Sequence, residues 1–423
     1  MFVRPVGPVD ARPRIPGSKS ITNRALLLAA IARGRSTVHG SLDAEDSRLM
    51  LAALRAAGIA IQADDMQDAI VIDGCDGPLP AASPAPLFVG TAGTVARFLL
   101  AVAAASPGTI ALDGTQRMRE RPMGALVDAL REQGATIRGT ANALPLVTGP
   151  HRSRLRGGEI RLVRPASSQF VSALAYAGTL AGAPMRIVLE QGTPARPYVD
   201  MTLAMIRDAG GLADWIDEGT IAITPGGLVG RTWIIEPDAS AASYFLALAA
   251  IRGGRCTIDR LGKASLQGDA AFAHVLGRMG AKVTQDAYTT TLEGDGHLRG
   301  GTFDLSDMPD MTLTLAVAAL GAEGSTRIEG VGILRHHESD RLTAVATELR
   351  KLGATVAIEQ DAIAIDPPPG PPAHTVAIDT YDDHRMAMAF ALAGDVEIRA
   401  PSCVGKTFPR YFDELAALGM IRA

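Results

Sequence analysis

Lys19 sits in the run Pro16-Gly17-Ser18-Lys19-Ser20-Ile21-Thr22-Asn23-Arg24, which leads into an apolar stretch from Ala25 to Ala32 that predicts a helix. A helix start offers free backbone N–H groups. With a hydroxyl, an ammonium and, one turn on, a guanidinium beside them, the segment can hold an anion. The glycine spacing of a nucleotide-binding Walker loop is missing. A second glycine-rich turn, Val89 to Arg97, precedes an apolar helix predicted from Phe98 to Ala105. There Gly90 and Gly93 let backbone approach a ligand, and Thr94 can cap the helix. Arg117, Arg119 and Arg121 follow, before a helix predicted to start at Pro122. Ser167-Ser168-Gln169 precedes a helix predicted from Phe170 to Leu180, and Arg196-Pro197-Tyr198-Val199-Asp200 leads into another. Taken singly, ordinary N-capping or an exposed basic turn explains each of these. Together they suit phosphate or carboxylate.

The second half adds carboxylates. Asp307 and Asp310 introduce a helix predicted from Met311 to Leu320, where an acidic pair also favours the helix dipole. Arg335-His336-His337-Glu338-Ser339-Asp340-Arg341, Tyr381-Asp382-Asp383-His384-Arg385 and Gly405-Lys406-Thr407-Phe408-Pro409 each place charges at the mouth of a helix. Adjacent residues on a helix face different sides, so the His-His-Glu and Asp-Asp-His runs are not assigned a metal. The chain has only five lysines, two of which, Lys19 and Lys406, fall inside these segments.

A repeated element positions the segments. An aliphatic residue, three intervening positions and a glycine recur at Leu54/Gly58, Leu130/Gly134, Ile206/Gly210, Leu276/Gly280, Leu349/Gly353 and Leu415/Gly419, at intervals of 66 to 76 residues. A glycine just past a helix supplies the left-handed residue that ends it, and the β-branched residues that usually follow start a strand. Phrases such as Ser36-Thr37-Val38, Cys256-Thr257-Ile258 and Val396-Glu397-Ile398 open short strands in the same rhythm. One supersecondary unit is thus expected six times, most simply as three and three. If the helices of a domain point one way, their positive ends converge, and two such domains facing each other would make a cleft for small anionic substrates.

Composition bounds the function. At 423 residues, 47% apolar and 20% charged, the chain predicts two or three globular domains. A net charge of −4 gives no general field for nucleic acid. Cys75, Cys256 and Cys403 lack metal-ligand spacing and fit a reducing compartment. With no long apolar span and no apolar leader, a cytoplasmic protein without membrane attachment is expected. Pro367 to Pro372 reads as a surface insertion.

The segments PGSKSITNRALLLAA, GTAGTVAR, RMRERP, SSQF, RPYVDMTL, HESDR, DDHRMAMA and KTFP resemble, in order and along nearly the whole chain, those of the 5-enolpyruvylshikimate-3-phosphate synthase (3-phosphoshikimate 1-carboxyvinyltransferase) family. The resemblance implies an α/β fold of two similar domains, each of three βαβαββ repeats, forming an inside-out α/β barrel. It implies an inserted domain over 18–236 and a second over 1–17 and 237–423. The implied reaction joins phosphoenolpyruvate to the 5-hydroxyl of shikimate 3-phosphate and releases phosphate, in aromatic amino acid biosynthesis, by a monomer without cofactor or metal. Carried over by position, Asp310, Glu338 and Lys19 are the implied catalytic residues. Lys19, Ser20, Arg24, Ser167, Ser168, Gln169, Tyr198, Asp310 and His337 are assigned to shikimate 3-phosphate. Lys19, Gly93, Arg121, Gln169, Arg341, His384, Arg385 and Lys406 are assigned to phosphoenolpyruvate.

Three departures from the family pattern touch the shikimate phosphate half. His337 stands where Lys is common, Ile333 or Leu334 where Asn is usual, and Ala195 where a small hydroxyl residue often falls. Arg196 or Arg164 is expected to compensate, and a histidine at 337 would make phosphate binding weaken as pH rises past its pKa. The UDP-N-acetylglucosamine enolpyruvyl transferases share the architecture but expect Lys-x-Asn near the start and a reactive cysteine near Arg117, neither of which is present. A non-catalytic anion-binding repeat protein would have no use for Asp310 and Glu338 among the cations.

Overall fold

A computed structural model describes residues 1–64, 68–80, 85–151 and 153–422. All six helix-ending glycines take positive φ: 92° at Gly58, 94° at Gly134, 91° at Gly210, 125° at Gly280, 91° at Gly353 and 76° at Gly419. A side chain there would be strained, so the punctuation seen in sequence is a backbone requirement.

The chain divides into two compact units, Gly17–Ile235 and Met1–Pro16 with Glu236–Ala423. In the first, the repeat is plainest in strand Gly158–Leu162, helix Ser168–Thr179, strand Met185–Leu189, helix Pro197–Asp208 and the hairpin Leu212–Trp215 with Thr220–Thr224. These make a four-stranded sheet in which Gly158–Leu162 runs parallel to Met185–Leu189 and the remaining pairs are antiparallel. Leu87–Phe88, Ile110–Asp113, Ile137–Gly139 and Leu146–Thr148 form a second sheet of the same order. In the third, Arg33–His39 and the hairpin Ala60–Asp64 with Ala69–Cys75 take their parallel partner, Thr232–Ile234, from the far end of the unit.

The second unit repeats the scheme. Its sheets pair Val9–Ala11 with Gly254–Asp259 and Leu298–Asp304 with Ala322–Glu329, each followed by a hairpin. The last repeat is shortened. Val376–Ile378 and Val396–Ile398 are parallel, and the third strand is Phe2–Val3, antiparallel to Val396–Ile398. Among the described residues the strands therefore form six small sheets and no closed barrel.

Each unit has its own core of three helices, apolar on every side and so buried all round. In the first unit these are Lys19–Ile31, Gly93–Ala105 and Ser168–Thr179, and in the second Ala239–Arg252, Thr312–Ala318 and His384–Phe390. Leu26, Leu27 and Leu28 are consecutive and fully buried. Among the described residues no helix is long and apolar enough to cross a membrane.

Several boundaries differ from expectation. Thr115 accepts a hydrogen bond from the Met118 amide, so the arginine segment becomes a short helix of its own, Gln116–Glu120, and the next helix starts at Gly124 instead of Pro122. The stretch expected as one helix from Met311 to Leu320 is a 3₁₀ turn at Pro309–Met311, helix Thr312–Ala318 and a second 3₁₀ turn. Lys406 ends a 3₁₀ helix, Pro401–Lys406, and lies ahead of the helix Tyr411–Ala417.

Candidate active site

In the unit Gly17–Ile235 the site candidates gather at the N-terminal turns of the core helices. Ser18 caps the first, leaving Lys19 on its opening turn, with Nζ 3.5 Å from Asp46 Oδ2. Arg24 is only 2% exposed, and its guanidinium donates from Nε to Thr202 Oγ1 (2.8 Å) and from its terminal nitrogens to the carbonyls of Ser20 (3.0 Å) and Tyr198 (2.8 Å). It also lies 5.2 Å from the centre of the Phe98 ring. Burial pulls its pKa down, yet a guanidinium stays charged. Arg24 thus bolts the Ser20 turn to the Tyr198 turn, with three donor nitrogens spent on the protein itself.

Arg97 links the second and third helices by donating to Gln169 Oε1 and to the Pro122 carbonyl, while Gln169 Nε2 donates to Thr94 Oγ1 at 3.1 Å. Arg121, 5% exposed, donates to the Thr91 carbonyl at 2.9 Å. A Cβ placed on Gly93 would lie 2.8 Å from an Arg97 terminal nitrogen and 2.9 Å from Arg121 Cζ, so glycine makes room for two guanidiniums. Ser167 caps its helix through the Gln169 amide, and Ser168 is buried beside it. Arg196 stacks 3.9 Å from the Trp215 ring centre and donates to the Glu218 carbonyl, and Arg164 is exposed.

In the other unit the centre is Arg341, 1% exposed. Its Nε donates to Asp383 Oδ2 (2.7 Å), one terminal nitrogen to Asp310 Oδ1 (2.8 Å) and His337 Nδ1 (3.0 Å), and the other to Glu338 Oε2 (3.0 Å) and Asp383 Oδ1 (3.2 Å). These contacts use every donor a guanidinium has. Arg385 donates to the second Asp310 oxygen at 2.8 Å and to Ser240 Oγ at 3.3 Å, and Lys406 Nζ stands 3.3 Å from Glu338 Oε1. Ser240 in turn donates to Asp269 Oδ2. His384 is buried next to Asp383, with Nδ1 3.6 Å from its carboxylate.

Burial alone would push the Asp310 carboxyl up, but Arg385, His337 and Arg341 together hold it well below its usual 3.8. Asp383, also fully buried, is held down to about 2 by Arg341 and His384. His337 is pushed below 6.5, first by burial and then by the charge of Arg341, against the pull of Asp310. An Arg341 terminal nitrogen and the Asp310 carboxylate both face His337 Nδ1, at 3.0 Å and 3.5 Å. The pH range in which a charged His337 could serve phosphate therefore moves below the ordinary imidazole range.

In the second unit Asp310, His337, Glu338, Arg341, Arg385 and Lys406 form one contact network with His384 beside it, whereas in the first the implied residues sit at or near the opening turns of neighbouring helices. Arg97, Asp46, Asp383, Ser240 and Asp269 joined them without having been singled out. Arg97 and Asp383 stand inside the quoted motifs, whereas Asp46, Ser240 and Asp269 carry no local sign. Among the described residues no group of His, Cys, Asp or Glu could hold a metal ion.

Comparisons with known proteins identify the family. A family model described as EPSP synthase (3-phosphoshikimate 1-carboxyvinyltransferase) matches residues 3–415. A 3-phosphoshikimate 1-carboxyvinyltransferase of Serratia proteamaculans is 42% identical, covering 100% of this chain and 99% of its own. One from Shewanella halifaxensis is 40% identical over 98% of each. Among solved structures, an EPSP synthase from Acinetobacter baumannii superposes with a TM-score of 0.81 at 25% identity, covering 99% of this chain and 98% of that one. The enolpyruvyl transferase NikO from Streptomyces tendae, at 19% identity and a TM-score of 0.79 over 99% and 97%, shares the fold. The chain belongs to the EPSP synthase (3-phosphoshikimate 1-carboxyvinyltransferase) family.

Proposed function

We propose that this transferase moves the enolpyruvyl group of phosphoenolpyruvate to the 5-hydroxyl of shikimate 3-phosphate and releases phosphate, acting as a cytoplasmic monomer. We take the units Gly17–Ile235 and Met1–Pro16 with Glu236–Ala423 as its two domains. The observation that carries the reading is a pair of carboxylates, Asp310 and Glu338, held on one saturated guanidinium, Arg341, with Arg385 and Lys406 on their outer oxygens. A protein that only bound anions would gain nothing by placing acids there. The UDP-N-acetylglucosamine reading is not favoured, since the full-length relatives are 3-phosphoshikimate enzymes.

Chemically, the 5-hydroxyl gives its proton to Asp310 as its oxygen bonds to the central carbon of phosphoenolpyruvate. The methylene carbon takes a proton from Glu338 or Lys19. The tetrahedral adduct then loses the methyl proton and expels phosphate, which restores the double bond, so atoms balance without a cofactor. Acid-base assistance of this kind contributes about 10² to 10⁴ in rate. Lys19, Arg121, Arg341, Arg385 and Lys406, with Gln169 and His384, are assigned to phosphoenolpyruvate. Gly93 leaves room for it. Lys19, Ser20, Arg24, Ser167, Ser168, Gln169, Tyr198, Asp310 and His337 are assigned to shikimate 3-phosphate, and Arg24 also ties the Ser20 turn to that of Tyr198.

The geometry supports one refinement. A carboxylate held far below its ordinary pKa is a weak base. An anionic substrate that takes donors of Arg341 and Arg385 must displace Asp310 from them, and Asp310 then regains basicity when its substrate arrives.

The test is phosphate release from phosphoenolpyruvate plus shikimate 3-phosphate, repeated with Asp310→Asn. Release that needs both substrates and falls in the variant supports the proposal; no release by folded wild-type protein overturns it.

A further inference from the structure

The segment Pro367-Pro368-Pro369-Gly370-Pro371-Pro372 takes no part in the chemistry above. It borders a cavity of about 430 Å³ in the unit containing Arg341, walled by Ile251, Val317, Leu320, Leu392, Pro368 and Pro371. That volume lies within the range of small-molecule sites, roughly 300–1,000 Å³. The cavity stands at the C-terminal ends of the core helices. Arg252 closes the helix Ala239–Arg252, whose opposite end carries Ser240. Fourteen residues of helix place the two about 20 Å apart.

Arg252 is the one charged side chain among the described residues on that wall. It donates from a terminal nitrogen to the Leu392 carbonyl at 3.3 Å, but its buried Nε has no partner. No carboxylate pairs with it among the described residues, and burial draws its pKa down without an opposing acid. The Arg252 side chain is half-buried with its Nε enclosed, and the surrounding wall is apolar. Nearby helix ends carry partial negative charge, which favours the Arg252 guanidinium and disfavours a dianion more than a single carboxylate. Gly321 and Gly370, both on the wall, have no atom within 4 Å of where a Cβ would stand.

We propose that this cavity binds a small organic monocarboxylate with an apolar body, its carboxylate paired with Arg252. The site is separate from the one that performs the transfer and does not depend on its assignment.

The test titrates 3-phenylpropionate into the full-length protein by calorimetry, with 3-phenylpropionamide and phenyl phosphate as controls. The acid is expected to bind at least about tenfold more tightly than either control, as a charge-assisted hydrogen bond implies. Arg252→Met should weaken it by about tenfold or more. Gly321→Leu fills open space, so it should block binding while leaving the melting temperature and phosphate release unchanged. That variant decides the matter if Arg252→Met fails to fold, and it separates this cavity from any binding at Lys19 or Arg121. Equal binding of acid and amide, binding of phenyl phosphate as tight as the acid, no binding to wild type, or full affinity in Gly321→Leu would each overturn the proposal.

Discussion

The two clusters solve different electrostatic problems. In Gly17–Ile235, Arg24, Arg97 and Arg121 donate to hydroxyl, amide and carbonyl oxygens, which hold each guanidinium in place. In the other unit Arg341 is surrounded by Asp310, Glu338 and Asp383, and Arg385 and Lys406 complete a lattice of alternating sign. Dipoles preserve field for a ligand; carboxylates spend it on fixing groups that can carry protons. On this contrast we propose that proton transfer rests chiefly on the second cluster, which also shares in binding the substrates.

The strongest challenge to that division is Asp310→Asn, expected to lower kcat by about 10² to 10⁴ with a smaller change in KM, read by phosphate release. A change confined to KM would break the comparison. Next is Arg341→Met, which strips the common partner from three carboxylates. A loss of about 3–5 kcal/mol in urea unfolding is expected, because the buried acids are left uncompensated. No such loss would mean that the lattice is not a structural unit. On the other side, Lys19→Met should raise KM by about 10- to 100-fold, the worth of a hydrogen bond to a charged group, with a smaller loss of stability than Arg341→Met because only one buried acid, Asp46, loses a partner.

Acid should also separate the two. Asp383, at about 2 against 3.8 unfolded, contributes stability that is complete above its unfolded value and lost as pH falls towards its folded one. In that window the unfolded chain holds more protons, so stability rises with pH, by on the order of 2 kcal/mol. Unfolding at pH 3 and pH 5 should show this slope in wild type and lose much of it in Asp383→Asn. The smallest effect expected is that of Gly93→Ala. Its methyl group meets only the far ends of Arg97 and Arg121, which can shift, so a severalfold rise in KM for the anionic substrate should appear in steady-state kinetics.

Most of the architecture was legible because it depends on local rules. The glycines at 58, 134, 210, 280, 353 and 419 mark left-handed backbone that few other residues adopt, and the all-apolar run Ala25 to Ala32 can only be internal. The pairings were not legible. Asp46 reaches Lys19 across 27 positions and Asp383 reaches Arg341 across 42, and nothing in either local pattern encodes the partner. Arg24 stands in a helix-start motif, but nothing local announces that Thr202 and Tyr198, from a distant helix, are its neighbours. The break at Gly124 was missed because the cap at Thr115, not the proline, sets the local helix.

The short strand Phe2–Val3 lies against Val396–Ile398, and the Met1 amine donates to the Ile398 carbonyl, across 397 positions. Thr232–Ile234 likewise completes the sheet opened by Arg33–His39. On a ribosome, the inserted unit can therefore close its last sheet only once residue 234 has emerged. Phe2–Val3 must wait until Val396–Ile398 has emerged, with the entropy of a very long loop to overcome. The order of translation lets Gly17–Ile235 finish folding before the unit that Phe2–Val3 completes.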